Sequence, residues 1–354
     1  MRFGPLASLL TLSMTATAVA GCGALDDEAA SDSSVTVAAA FYPLAFVSER
    51  VAGEHADVEL LTQPGGEAHD LELGVRQTGM ISSADVVVYE HGFQPAVDDA
   101  VKEIATGSAV DAAKVVDLLA VGESAEEHAD HADESEHAEE TEHADESEHA
   151  DESEHADESD HADESEHADE SEHAEEDGHD HGAEDPHFWH DPIRMATLAD
   201  AVAEQLAQTD PDHADDYRAN ASALRAELEK LDSEFTTGLA DCERNTVVVA
   251  HDAFSYLEKY DIHLEAIAGL SPDAEPSPAH RAELQDLVRT KGITTVFSER
   301  LGSSALSESL ADDLGIETHV LDPIEGLTDE TSDEDYLSLM RQNLEALRTA
   351  NACG

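Results

Sequence analysis

Between residues 126 and 181 the chain repeats the unit His-Ala-Asp-Glu-Ser-Glu almost without a break, and this stretch cannot join a folded core. It has no Lys or Arg, no aromatic residue and no apolar side chain larger than Ala. Burying so little apolar surface cannot offset the entropy of ordering a chain, so residues 123–185 are expected to form a solvated, disordered loop. Its histidines are periodic: His137, His143, His149, His155, His161, His167 and His173 fall six residues apart, with His128, His131, His179 and His181 at the ends. Imidazoles supply nitrogen ligands, and the carboxylates between them concentrate cations. Glu and Asp alone would serve an acidic solubility spacer, so eleven histidines point to weak binding of divalent metal.

The formal charge is −66, and the loop holds 31 of the 83 acidic residues. The remaining 52 acids face 17 Lys plus Arg and leave −35, which argues against nucleic acid or anionic lipid as a partner. Residues 1–21 read as an export signal: Arg2, then an apolar run from Leu6 to Val19, then small residues. Val19-Ala20-Gly21-Cys22 resembles a bacterial lipobox, which would make Cys22 the lipidated first residue and 22–34 a tether. A soluble secreted chain is the alternative. If Cys22 carries lipid, Cys242 and Cys353 remain, and an even remainder in an oxidising compartment suggests a disulfide, with two free buried thiols as the alternative.

Without signal and repeat, about 260 residues remain, enough for two α/β domains. In the first lobe (35–191), strands are expected at 35–40, 58–61, 85–89 and 113–118, with helices at 45–52, 74–83 and 95–104. A linking helical segment follows at 192–241, either a pair or one long kinked helix, with Pro192 suited to a first turn and Asp210-Pro211 marking an interruption. The second lobe (242–354) alternates strands at 246–250, 264–268, 293–297 and 318–321 with helices at 251–259, 278–291, 304–314 and 332–350. Such alternation indicates a mainly parallel sheet in each lobe.

Ligand sites in open parallel sheets lie past the carboxyl ends of the strands. His69 follows the second strand, His251 follows the strand at 246–250, and Asp322 follows the strand at 318–321. His187 sits where the acidic loop meets the linking helix. If the lobes face each other, three imidazoles and one carboxylate converge on one cleft, a closed tetrahedral set that suits Zn²⁺. Each residue alone is weak: a lone His after a strand is commonly a surface or capping residue, and Asp-Pro marks turns.

The chain resembles the solute-binding proteins of bacterial metal-uptake ABC transporters, in their zinc-binding branch. The resemblance runs over the whole expected mature chain. It rests on Phe41-Tyr42-Pro43-Leu44, the loop from Pro64-Gly65 to His69, the His-rich insertion before Asp185-Pro186-His187-Phe188-Trp189, His251-Asp252-Ala253-Phe254-Ser255-Tyr256, the segment 267–278 and Leu321-Asp322-Pro323. It implies two α/β lobes joined by one rigid helix, small lobe motion, and metal held between the lobes by His69, His187, His251 and Asp322. Manganese binders of that fold generally have Glu where this chain has His251, which favours zinc. Glu67 and Glu325 are close enough in sequence to replace Asp322 as the fourth ligand, and water is a further alternative at that position.

Other polar residues carry less. His190 and Asp191 read as outer or surface groups, Glu90-His91 as an accessory site or a solvated loop, and Glu299-Arg300 as a salt bridge near the cleft. Trp189 is expected at the seam between lobes. His55, His213, His263, His280 and His319 read as ordinary surface or core residues. The expected function is capture of Zn²⁺ by a monomer anchored to the outer face of the cell membrane, or in a periplasm where there is one, and delivery to an ABC permease. The loop would be a weak collector or sensor. Alternatives are a binder of manganese or another divalent metal, and an extracellular metal buffer or adhesin. A zinc hydrolase lacks support, because four protein ligands leave no coordination position for water and no His-Glu-x-x-His motif is present.

Overall fold

The computed structural model describes residues 34–121 and 184–354; the export signal, Cys22, the tether and the repeat histidines lie outside the described residues. The first lobe runs β1 (Val35–Ala39), α1 (Tyr42–Ala52), β2 (Ala56–Leu60), α2 (Val75–Ser83), β3 (Val86–Tyr89), α3 (Pro95–Ile104), β4 (Ser108–Asp111) and a short α4 (Ala112–Val115). Its four strands are all parallel, in the order β2-β1-β3-β4. Val37, Ala38 and Ala39 of β1 and Val86, Val87 and Val88 of β3 are buried, as befits inner strands covered on both faces.

The strand expected at 113–118 is absent. Residues 112–115 form a helical turn instead, and β4 lies earlier. An edge strand with Ser108 and Ala109 exposed and only Val110 and Asp111 buried carries little apolar signal, whereas Val115-Val116 mimicked one. Next, β5 (Leu119–Ala120) pairs antiparallel with β6 (Glu184–Asp185), setting Leu119 opposite Asp185. The last two residues assigned to the solvated loop are therefore in a strand, and Asp185 is buried.

The link is a helix pair. Asp191 caps α5 (Pro192–Thr209) by accepting from the backbone N–H of Ile193, and Pro192 occupies the first turn. A tight turn at Pro211–His213 then leads into α6 (Ala214–Leu239). A proline that cannot donate a backbone hydrogen bond ends one helix and starts the next. On α6, Tyr217, Ala221, Leu224, Leu228, Leu231, Phe235 and Leu239 form one buried stripe. Ion pairs tie α6 to both lobes, Arg50–Glu227 to α1 and Arg341–Glu234 to the last helix. Half-exposed pairs of this kind contribute little, and the buried stripe does the joining.

The second lobe runs β7 (Thr246–Val249), β8 (His263–Ala266), α7 (Pro278–Lys291), β9 (Thr295–Ser298), α8 (Ala305–Leu314), β10 (Glu317–Val320) and α9 (Tyr336–Asn351), with parallel strands ordered β10-β9-β7-β8. Residues 251–254 are not helical as expected, and a 3₁₀ helix covers only Ser255–Tyr260. The backbone N–H of Asp252 donates to the carbonyl of Gly269 in the neighbouring loop, which holds this segment out of a helix. One apolar cluster passes unbroken from the first lobe through α5 and α6 to Phe297, Leu321 and α9, so the lobes share a core.

Cys242 and Cys353 form a disulfide that ties the start of the second lobe to the end of α9. Replacing both by Ser should lower stability by about 2–4 kcal/mol, because the unfolded chain loses a long closed loop. Urea unfolding should show a lower midpoint with the bridge removed; an unchanged midpoint would show that the folded ends need no covalent tie.

Candidate metal centre

Loops at the carboxyl ends of the strands bring four side chains together: His69, His187, His251 and Glu325, whose ligand atoms all lie within 4.8 Å of one another. His69 and His187 come from the first lobe, His251 and Glu325 from the second. The three imidazole centroids form a nearly equilateral triangle, at 5.4, 5.4 and 5.7 Å. Glu325 Oε1 lies 3.3 Å from His69 Nε2, 3.5 Å from His251 Nε2 and 3.8 Å from His187 Nε2. Such distances are long for hydrogen bonds to a carboxylate, yet near the roughly 3.3 Å edge of a tetrahedron with metal–ligand bonds of about 2.0–2.1 Å.

Two further carboxylates orient the rings. His187 Nδ1 donates to Asp185 Oδ1 at 2.7 Å, and His251 Nδ1 donates to Glu299 Oε1 at 2.6 Å. An ionised carboxylate only accepts, so each Nδ1 carries a hydrogen and each Nε2 is aimed at the centre. Both Nε2 atoms are buried without a hydrogen-bond partner. Asp185 is held in place through its carbonyl, which accepts from Tyr256 Oη at 2.6 Å. Asp185 and Glu299 were missed as ring partners by sequence reasoning, although the signals were there. Asp185 stands two residues before His187, and Glu299 follows β9 just as His251 follows β7.

The loop that carries His69 depends on two glycines. Gly65 has φ +75° and donates its N–H to the carbonyl of Leu327 across the cleft at 2.8 Å, while a Cβ on Gly66 would meet the carbonyl of Gln63 at 2.9 Å. Gln94 Nε2 holds the same loop through the carbonyl of Ala68. Glu67 accepts from the backbone N–H of His69. Burial and the charge of Glu325 push its pKa up to about 7, so it stands beside the cluster as a partly protonated neighbour.

Asp322 is not in the cluster, contrary to the expectation that it is the fourth ligand. Its Oδ2 accepts from Arg300 Nε at 2.9 Å and its Oδ1 from the backbone N–H of Ile324 at 2.9 Å, so both oxygens are committed elsewhere. The strand-end rule selects the first polar residue after β10, but the chain turns at Pro323-Ile324 and presents Glu325. Arg300 thus pairs with Asp322, while Glu299 serves His251. Trp189 is fully buried and donates to the carbonyl of Pro323 at 2.7 Å, at the seam where it was expected. His190 is buried against Phe254, and burial lowers its pKa to about 3, leaving a neutral ring. Glu90 is buried, and burial with the charges of Asp185 and Asp111 raises its carboxyl well above the usual range, whereas His91 is exposed beside Asp98.

Proton linkage follows from the same geometry. Burial lowers the pKa of His251, but the hydrogen bond to Glu299 and the nearby charge of Glu325 outweigh it and push the pKa up to about 10. Burial raises Glu325, but hydrogen bonds from His251 and His69 outweigh it and hold this carboxyl well below its usual range. Near neutrality, then, the metal-free pair is imidazolium and carboxylate. A cation that takes His251 Nε2 must expel that proton, so its affinity should rise with pH, by about tenfold per unit on the acid side of the raised pKa. Calorimetry of zinc binding in buffers of different ionisation enthalpy should find about one proton released at pH 7; none released would mean that His251 is neutral in the metal-free protein.

Comparison with known proteins places this fold. The chain is 31% identical over 350 residues to the zinc-binding lipoprotein AdcA of Streptococcus pneumoniae (strain R6), an alignment covering 96% of this chain and 60% of that protein. It thus spans less than two thirds of the streptococcal relative. It is also 31% identical to the high-affinity zinc uptake system protein ZnuA of Bacillus subtilis, over 93% of this chain and 92% of that one. The crystal structure of the Zn(II)-bound ZnuA-like domain of S. pneumoniae AdcA superposes with a TM-score of 0.64 at 28% identity, covering 90% of this chain and 98% of that domain. The family model described as zinc-uptake complex component A, periplasmic, matches residues 37–350, which span both lobes and all four clustered side chains, and the chain therefore belongs to the ZnuA family.

Proposed function

We propose that this protein captures Zn²⁺ outside the cytoplasm and hands it to an ABC permease, with His69, His187, His251 and Glu325 as the ligands. The observation that carries this reading is the convergence of three imidazole Nε2 atoms and one buried carboxylate oxygen on a single point between two lobes. Three nitrogen ligands and one oxygen ligand suit zinc better than manganese, which prefers oxygen-rich sites. The ligand set is closed by protein groups, which suits a carried ion and leaves no position for a hydrolytic water. Net charge adds to capture: a strongly acidic protein attracts cations.

The remaining parts of the reading rest on sequence. Cys22 would carry the lipid anchor, in keeping with the lipoprotein named among the relatives. The repeat histidines would collect zinc weakly and raise its local concentration at the cleft by tethered proximity. A metal buffer or adhesin without a transporter is the second reading; a permease and an ATPase encoded beside this gene would decide against it.

The test is metal content after competition. The mature protein with residues 126–181 deleted, offered an equimolar mixture of divalent metals, should retain one equivalent of zinc, and His251→Ala should lose it. One equivalent of manganese would reassign the cargo. No retained metal would mean that the repeat is the binding element and the cleft is not.

A further inference from the structure

Asp322 is buried, charged and next to the centre, yet it faces away from the point where the ligands converge. What it does hold is the turn that delivers Glu325. Its Oδ1 accepts from the N–H of Ile324, a residue with φ +60°. A β-branched residue rarely adopts that left-handed conformation unless its surroundings impose it. The surroundings here are specific. Asn343 of α9 grips Asp322 at both backbone groups: its Oδ1 accepts from the N–H at 2.9 Å and its Nδ2 donates to the carbonyl at 2.7 Å. Arg300 fixes the other carboxylate oxygen, and the indole N–H of Trp189 holds the carbonyl of Pro323. Trp189 stands two residues after His187, so one side chain links a ligand turn of the first lobe to the ligand turn of the second.

We infer that Asp322 and Trp189 are positioning residues: they pre-form the Pro323-Ile324 turn so that Glu325 already stands among the three imidazoles before a metal arrives. This rests on the reading of His69, His187, His251 and Glu325 as the zinc ligands. A carboxylate held by its own backbone turn loses little freedom on binding, and such pre-organisation is a general source of affinity. It also fixes the spacing of the oxygen ligand, which favours a four-coordinate ion over one that needs more or longer oxygen contacts.

The test uses the full mature chain with residues 126–181 present or deleted, and reads both zinc affinity by chelator competition and the visible spectrum of the Co²⁺-substituted protein. Asp322→Ala should bind one zinc about 10–100-fold more weakly, the range seen when partners of metal ligands are removed. Its Co²⁺ spectrum should keep the wild-type band positions, because the ligand set is unchanged. Asp322→Asn should recover most of the loss, since an amide oxygen still accepts from Ile324. Trp189→Phe, which keeps an aromatic ring in place but removes the indole N–H, should also weaken zinc binding while the circular dichroism of the fold stays unchanged. Wild-type affinity in Asp322→Ala, or Asp322→Asn binding no tighter than Asp322→Ala, would overturn the inference; shifted cobalt bands in either would return Asp322 to the role of ligand. Glu325→Gln and His251→Ala separate the two levels. If these still hold one tight zinc, the site reading itself fails; if they lose it while Asp322→Ala does not weaken binding, only the positioning role fails.

Discussion

The carboxylate of Glu325 is almost wholly withdrawn from water, and no fixed Lys or Arg side chain pairs with it among the described residues. A buried anion is tolerated only where a cation shares its cavity. The groups that face Glu325 are the imidazoles of His69, His187 and His251, and the raised pKa of His251 lets a proton there balance the carboxylate. The same few atoms also bring the lobes together, since Glu325 of the second lobe faces His69 and His187 of the first.

Everything around this point keeps its separations constant. Both sheets are parallel and set their carboxyl ends toward the cleft, so loops from β2, β7, β9 and β10 meet there. One apolar core runs through both lobes, and the stripe on α6 bridges them. Separate lobes on a flexible tether would have to pay the cost of ordering at each binding event; a shared core has met that cost on folding. The ring orientations are fixed in turn by Asp185 and Glu299, and these carboxylates also favour the tautomers that expose Nε2.

The His-rich insertion joins the structure at a telling place. Its two ends are gathered by β5 and β6, and the returning strand supplies Asp185, which orients His187 two residues later. Tyr256 of the second lobe closes the same corner, donating to the carbonyl of Asp185 and accepting from the N–H of Leu119. The chain therefore re-enters the fold next to the centre.

Period and residue chemistry were enough to read the α/β alternation, the inner strands and a helical link, because buried parallel strands and amphipathic helices write their burial into consecutive residues. The link is two helices rather than the one rigid helix expected. They were also enough for three of the four clustered side chains, since His69, His187 and His251 stand at strand ends or at the helix entrance. What failed was weakly apolar or set by distant partners. The edge strand β4 buries too few residues to be seen, and the segment after His251 is held from a helix by a bond to Gly269. The choice between Asp322 and Glu325 turned on a single backbone conformation at Ile324, and that conformation depends on Asn343, Arg300 and Trp189 from three other parts of the chain. Sequence alone determined which chemistry was available and roughly where it lay, because ligand types and periodicity are local. Only the tertiary structure decided which carboxylate faces the imidazoles, because the direction of a side chain after a turn is set by contacts that the local sequence does not contain.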